Sequence, residues 1–235
     1  MEATDDTQAA HRRWNRRDVM VLVAVAVGFN LYCNIVNSNM FFDPIGWEDP
    51  FRHLGIGLYY ADGRFADTTY KISRVPWNTL QFVVRQLFTT EAAGAVLQLV
   101  CGWGRALVLY SLGRRLFRRD VALSVGVLAI FLPLFHADGG ADYYNAGAVP
   151  LYYLTWLSMA AWVWKPSSWN AFATGLLTAA TLHTCPQFIL TGPMLMIAGV
   201  AMSRFAGRTW RQMGRAVVLQ FVGVLAATAL FALWH

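Results

Sequence analysis

Charge is scarce in this sequence of 235 residues, of which 14% are charged and 57% are hydrophobic. A water-soluble domain carries about 25% charged residues, so this composition argues against an ordinary soluble fold. The mean hydropathy is +0.40, and several apolar runs reach about 20 residues, the length of a helix that crosses a bilayer. We therefore predict an all-α, polytopic membrane protein.

The sequence also lacks the patterns of a metal-binding or nucleic-acid-binding protein. Its cysteines, Cys33, Cys101 and Cys185, lie in or beside apolar runs without CxxC spacing, and we expect small buried side chains. The net charge of +6 comes from short basic clusters rather than from a continuous patch or arm, so no nucleic-acid partner is expected. Because no internal repeat or low-complexity segment is visible, we expect a single membrane domain over residues 1–235.

Apolar runs predict about seven membrane spans. They lie at about 19–40, 92–112, 121–135, 146–164, 169–185, 188–203 and 216–234. The first run exceeds the apolar region of a signal peptide and no small-residue cleavage site follows it, so we expect a retained helix.

A long polar interval, residues 41–90, separates the first two runs and is predicted to carry short interfacial helices. One is expected in FRHLGIGLYY and the other in PWNTLQFVVRQLF, with Pro76 in its first turn. The second segment has one apolar face, at Leu80, Val83, Val84 and Leu87. It is too short to span a bilayer and contains Arg85, so we expect it to lie on the membrane surface.

The distribution of charge predicts the orientation in the membrane. With a cytosolic tail at residues 1–17, the loops on the inside hold 13 of the 19 basic residues, and the outer loops hold eight of the 13 acids. This bias matches the positive-inside rule and predicts an inner (plasma) membrane protein with a cytosolic N-terminus. It places the loops 43–77 and 136–145 on the same outer face.

Carboxylates of these two loops are the first candidates for chemistry. Glu48 and Asp49 follow the first span closely, where low solvation raises the proton affinity of an acid. Such a group suits a general base acting on an alcohol, or a metal ligand. Asp49–Pro50 is equally typical of a helix N-cap and first turn. Asp142, in the second loop, either caps the fourth span or supplies a second carboxylate.

Cations in the first outer loop run against the positive-inside trend and point to an anionic ligand. A lipid-linked phosphate would be bound by charge-assisted hydrogen bonds; contacts with lipid headgroups and with Asp62 and Asp67 are the alternative. The candidate ligand-binding side chains of this loop are His53, Arg64, Tyr70, Lys71 and Arg74.

Three polar features lie within the predicted spans. Arg105 either serves a function within the membrane or extends its guanidinium towards the cytosolic face. Asn30, Asn34 and Asn37 share one helical stripe, which favours hydrogen bonds between helices over a wet cavity. His183, near the outer end of the fifth span, is expected to line a cavity rather than to bind a metal.

The sequence resembles the GT-C superfamily of polytopic glycosyltransferases, which includes the dolichyl-phosphate-mannose mannosyltransferases and their bacterial polyprenyl-phosphate relatives. The resemblance covers about residues 19–160. It rests on WEDPFRHLGIGLYYADGRF, YKISRVPWNTLQFVVRQLF and GRALVLYSLGRRLFRRDVALSVGVLAIFLP.

The resemblance implies sugar transfer from a polyprenyl-phosphate donor at the outer membrane face, with or without a divalent metal. Asp49 matches the position of the family's catalytic acid, with Glu48 and Asp43 as rivals, and Asp142 matches a second acid. Arg64, Lys71 or Arg74 would hold the leaving phosphate. Members of the family usually contain more spans, which a partner subunit would complete.

Two other functions remain open at this point. A carrier for a lipid-linked saccharide would use the polar stripe, Arg105 and the outer cations without any chemistry. A non-catalytic membrane subunit, or a fragment of a longer enzyme, would need no catalytic acid at all.

Overall fold

The computed structural model of the protein describes residues 14–36, 74–131 and 144–233. Helix accounts for 91% of these residues, and no strand occurs among them. The predicted all-α class is therefore confirmed for the described part of the chain.

Each of the seven apolar runs coincides with a helix, and so does the second of the predicted short helices. We number them α1 (Arg16–Val36), α2 (Val75–Leu87), α3 (Thr90–Leu116), α4 (Arg119–Phe131), α5 (Tyr144–Trp164), α6 (Ser168–Thr184), α7 (Thr191–Phe205) and α8 (Trp210–Leu233), with a 3-10 helix, Pro186–Leu190, before α7.

Three segments of the described chain are long and apolar enough to cross a membrane: Ala92–Leu116, Pro186–Phe205 and Trp210–Leu233. Membrane-helix character is thus found for three segments, and the larger number of spans stays a prediction.

The helices divide into two compact units, which we describe separately. In the first, α1, α3 and α4 pack around Leu22, Tyr110 and Ile130. Gly126 lets α4 approach its neighbours closely, because a Cβ there would lie 3.0 Å from Leu22.

A buried carboxylate joins the three helices of this unit at one end. Asp18, in the first turn of α1, is 1% exposed. Arg119 donates to both of its oxygens from Nε at 3.1 Å and 2.9 Å, and from Nη2 to Oδ1 at 2.6 Å. The Tyr110 hydroxyl donates to Oδ2 at 2.7 Å. The arrangement satisfies a carboxylate that would otherwise be costly to bury.

The second unit contains most of α5, the helices α6 to α8 and the beginning of α2. Here α6 and α8 run parallel, since Ala171 clusters with Ala216 near their N-termini and His183 contacts Phe231 near their C-termini. A Cβ on Gly175 would collide with the carbonyl oxygen of Gln220. Glycine is therefore required where the two backbones meet, as is common in membrane helices.

Buried small residues extend this contact along both helices. On α6 they are Ala171, Gly175 and Ala179, and on α8 they are Ala216, Gly223 and Ala227. Side-chain hydroxyls link α6 to α5, because Thr174 donates to Ser158 at 3.0 Å. The Ser158 hydroxyl in turn donates to the Asn170 carbonyl at 3.2 Å, so both hydroxyl protons have an acceptor.

Candidate functional site

The buried polar face of α2 is the most unusual feature of the described chain. Arg74, Asn78 and Gln81 are each 5% exposed or less, and Arg85 continues the same line one turn further along the helix. Their spacing of four, three and four residues places all of them on one face. Polar and charged side chains are seldom buried together unless they bind one another or a ligand.

The opposite face of α2 is apolar and exposed. Val83 is 48% exposed and Leu87 is 71% exposed, which reverses the arrangement of a helix in a water-soluble protein. Such a helix is suited to contact lipid with its exposed apolar face and protein or a ligand with its buried polar face. The helix and Pro76 in its first turn are confirmed; the position on the membrane surface stays a prediction.

Arg74 lies at the N-terminal end of this helix. The Asn78 N–H donates to the Arg74 carbonyl at 3.0 Å, so Arg74 holds the N-cap position. The first turn carries no acid, and the helix dipole adds positive potential to the guanidinium. Both terms favour an anion at this end of α2.

Trp77, in the first turn of α2, is also buried. It is 2% exposed, and a Cβ on Gly147 would lie only 2.5 Å from its ring, so glycine makes room for the indole. Within the described residues, the indole Nε1 has no hydrogen-bond partner. An N–H donor in a buried position without an acceptor is costly, and a ligand oxygen would remove that cost.

Burial also affects the far end of the polar face. Desolvation lowers the pKa of Arg85 to about 10, so the guanidinium still carries its charge at neutral pH. The part of the face in the second unit offers the guanidinium of Arg74 for a phosphate and the carboxamides of Asn78 and Gln81, which both donate to and accept from hydroxyls. This combination suits a ligand with an anionic group and several hydroxyls.

Most of the predicted site residues lie outside the described residues. These are Asp43, Glu48, Asp49, His53, Arg64, Tyr70, Lys71 and Asp142. The roles assigned to them stay predictions, and so does the short helix expected in FRHLGIGLYY. The two predicted site residues that the structure describes are Arg74 and His183.

His183 belongs to a different part of the second unit. It lies in the last turn of α6 and packs edge-on against Phe231 of α8, with ring centroids 4.9 Å apart. Nearby Cys185 is buried, and its thiol points to Gln187 at 3.8 Å. The described contacts of His183 and Cys185 are thus with neighbouring protein side chains. His183 and Arg74 lie at different helices and have different neighbours.

Two polar features within the predicted spans are also described. Arg105 is 4% exposed, in the second half of α3. Asn30 donates from Nδ2 to the Gln98 Oε1 at 3.1 Å, which confirms a hydrogen bond between helices at this position of the stripe. The side chain of Asn34 and residue Asn37 lie outside what the structure describes.

Sequence reasoning missed the interactions of Asp18 and the polar face of α2. An acid among the arginines at the start of an apolar run was a signal for Asp18, but nothing in the sequence indicates Arg119 as its partner. For α2, the prediction rested on the spacing of its apolar residues. The complementary polar positions 74, 78, 81 and 85 were visible in the same stretch.

No group of three histidine, cysteine or acidic side chains able to hold a metal ion is found among residues 14–36, 74–131 and 144–233. No family model matches the chain, and no match was found among curated proteins or solved structures. The resemblance to GT-C glycosyltransferases therefore rests on the sequence motifs alone.

Proposed function

We propose that the protein is a membrane glycosyltransferase of the GT-C type, which moves a sugar from a polyprenyl-phosphate donor to an acceptor at the outer membrane face. The main support for the proposal is the buried polar face of α2, with Arg74 at its N-terminal end. This face begins within the last residues of the acidic outer loop, 43–77, so the proposed anion-binding group and the candidate catalytic acids are close in the chain.

The proposed reaction assigns one role to each kind of residue. Asp49 accepts the proton of the acceptor hydroxyl as its oxygen forms a bond to the anomeric carbon of the sugar. The bond from that carbon to the lipid phosphate breaks, and the phosphate leaves with the electron pair. Arg74 stabilises the charge on the leaving phosphate. Asn78 and Gln81 bind sugar hydroxyls.

The proposal includes the larger topology. About seven spans with a cytosolic N-terminus place loop 43–77 on the outer side of the inner membrane. The three apolar segments support membrane insertion, and the basic residues near α3 and α4 support the orientation. A partner subunit would complete a bundle of the size usual in the family.

A carrier for a lipid-linked saccharide is the second candidate. It is favoured by Arg105, a cation 4% exposed within a candidate membrane span. Buried intramembrane cations mark substrate pathways as well as catalytic sites. A carrier would bind the same phosphate-linked sugar but would not need Asp49.

Identification of the co-purified lipid is the decisive experiment. The full chain would be purified in a mild detergent and its bound lipids identified by mass spectrometry. We expect an isoprenoid phosphate or its glycoside in the wild type and about tenfold less of it in the Arg74→Gln variant, because one charge-assisted contact is lost. Arg118→Gln, at a side chain 86% exposed, is the matched control and should retain the lipid.

Asp49→Asn separates the two candidate functions. A transferase variant should keep the lipid and lose sugar transfer in reconstituted vesicles, whereas a carrier variant should keep its transport. A wild type that yields no isoprenoid phosphate contradicts both proposals. Thermal unfolding of each variant shows whether lost binding comes from lost structure.

A further inference from the structure

The second unit contains a cavity of about 210 Å³ at the end where α5 leads into α6. Its polar wall is formed by Ser167, Ser168, Gln212 and Arg215. Its apolar wall includes Trp162, Ala216 and Leu219. The lining of the cavity therefore combines hydrogen-bond donors with hydrocarbon.

Hydrogen bonds at the N-termini of α6 and α8 determine which groups in this cavity can donate. Ser167 caps α6 by accepting from the Asn170 N–H at 3.0 Å, and the other N–H groups of the first turn have no acceptor within the helix itself. On α8, the Gln212 carboxamide oxygen accepts from the Thr209 N–H at 3.1 Å. The amino end of Gln212 is then the part available to donate. The cavity is thus lined by hydrogen-bond donors and by the guanidinium of Arg215.

Residues 143–235 contain no acid, although they carry five cations: Lys165, Arg204, Arg208, Arg211 and Arg215. The first turns of α6 and α8 likewise carry no acid. The helix dipoles add positive potential at both N-termini. A carboxylate from this segment cannot neutralise the charge, so an external anion is favoured.

The position of the cavity indicates where that anion comes from. Arg208 donates from Nη2 to the carbonyls of Val163 and Trp164 at 3.0 Å and 3.1 Å, so the α7–α8 connection lies against the end of α5. This connection joins two candidate membrane spans. It therefore lies at the level of the lipid headgroups, on the side predicted to face the cytosol.

We propose that this cavity binds the phosphate of an anionic phospholipid, with the glycerol and upper acyl chain along the apolar wall. Arg215 pairs with the phosphate, while the N-terminus of α6 and Ser168 donate to its oxygens. Exposed Trp169 and Trp210 flank the region, as expected for aromatic residues at a membrane interface. The site is independent of the proposed sugar transfer.

The test measures lipid binding by the delipidated full chain in detergent. Native mass spectrometry would follow titration with dioleoyl-phosphatidylglycerol, with dioleoyl-phosphatidylcholine as the zwitterionic comparison. We expect one tightly bound phosphatidylglycerol and an affinity about tenfold lower for Arg215→Gln. Arg211→Gln removes the same charge one turn earlier, outside the cavity wall, and should change the affinity less than about twofold.

Ser168→Asp provides a second variant that should fold well. Its carboxylate would occupy the N-terminus of α6, raising the unfolding temperature without lipid and abolishing the extra stability that phosphatidylglycerol confers. Equal effects of the Arg211 and Arg215 substitutions would overturn the proposal in favour of a diffuse charged surface. Displacement of the lipid by millimolar inorganic phosphate would overturn it in favour of a free-anion site.

Discussion

The two units of the protein join their helices in different ways. In the first, polar side chains bridge between helices: Asp18 with Arg119 and Tyr110, and Asn30 with Gln98. In the second, small residues bring α6 and α8 into backbone contact, with Gly175 against Gln220, and the bridge from α6 to α5 is uncharged, from Thr174 to Ser158. Ion pairs are unavailable to the helices of the second unit because residues 143–235 contain no acid.

The difference shows two solutions to one physical problem. Lipid chains are as apolar as leucine, so burial of apolar surface does little to hold membrane helices together. Either directional hydrogen bonds or close van der Waals contact must replace it. The Asp18 bridge depends on ionisation and hence on pH, whereas small-residue contacts depend on shape alone.

The largest effect is expected at the glycine contact of the second unit. Gly175→Ala should destabilise the protein by about 3 kcal/mol, since the added methyl group meets the Gln220 backbone and forces α6 and α8 apart. Gly214→Ala is the control, because a Cβ there has no atom within 4 Å. It should instead stabilise α8 by up to about 1 kcal/mol through helix propensity.

Thermal unfolding in detergent, followed by circular dichroism, measures both variants. If Gly175→Ala were as stable as Gly214→Ala, the close approach of α6 and α8 would be wrong.

A smaller effect is expected at the buried carboxylate of the first unit. Asp18→Asn removes the charge that Arg119 and Tyr110 bind and should cost about 2 kcal/mol. Asp120→Asn is the matched control: its carboxylate is 67% exposed and meets Arg118 at 3.5 Å. Exposed pairs of this kind contribute less than about 1 kcal/mol. Equal unfolding temperatures for the two variants would show that the Asp18 interactions add nothing.

The smallest effect is a dependence of the free energy of unfolding on pH. It is also the effect that best distinguishes the two units. The hydrogen bond from Arg119 holds the pKa of Asp18 below its ordinary value of 3.8. A carboxyl with a lowered folded pKa stabilises the protein above its unfolded pKa and loses that contribution as the pH falls. The stability difference between wild type and Asp18→Asn should therefore stay constant from about pH 7 to pH 5 and shrink below about pH 4.

The same titration has no counterpart in the second unit. The difference between wild type and Gly175→Ala should not change over this range, because the contact involves no ionisable group. A pH-dependent difference there would contradict the contrast between the units.

Much of the fold was predictable from apolar periodicity. The described part of each apolar run lies largely in a helix, and only Phe117 and Arg118 separate α3 from α4. The boundaries differ by a few residues because polar residues such as Arg16 and Arg211 extend the first turns beyond the apolar runs. The number of spans was less predictable, since only three segments of the described chain are long and apolar enough to cross a membrane.

The candidate site was predictable only in part. Arg74 was identified because a cation in an outer loop is unexpected there. Its burial beside Asn78, Gln81 and Trp77 was not, because burial depends on which face of α2 meets its neighbours. The role of His183 stays a prediction; its contact with Phe231 was not predictable, because no local pattern connects residues so far apart in sequence.

The amino-acid sequence by itself determined the all-helical class, the apolar segments and the uneven distribution of charge, since each follows from side chains within one helix or one connection. Only the tertiary structure decided that Asp18 binds Arg119, that Gly175 meets the Gln220 backbone and that α2 buries its polar side. Those outcomes depend on the packing of helices distant in sequence, and the periodicity of a single helix carries no information about its partner.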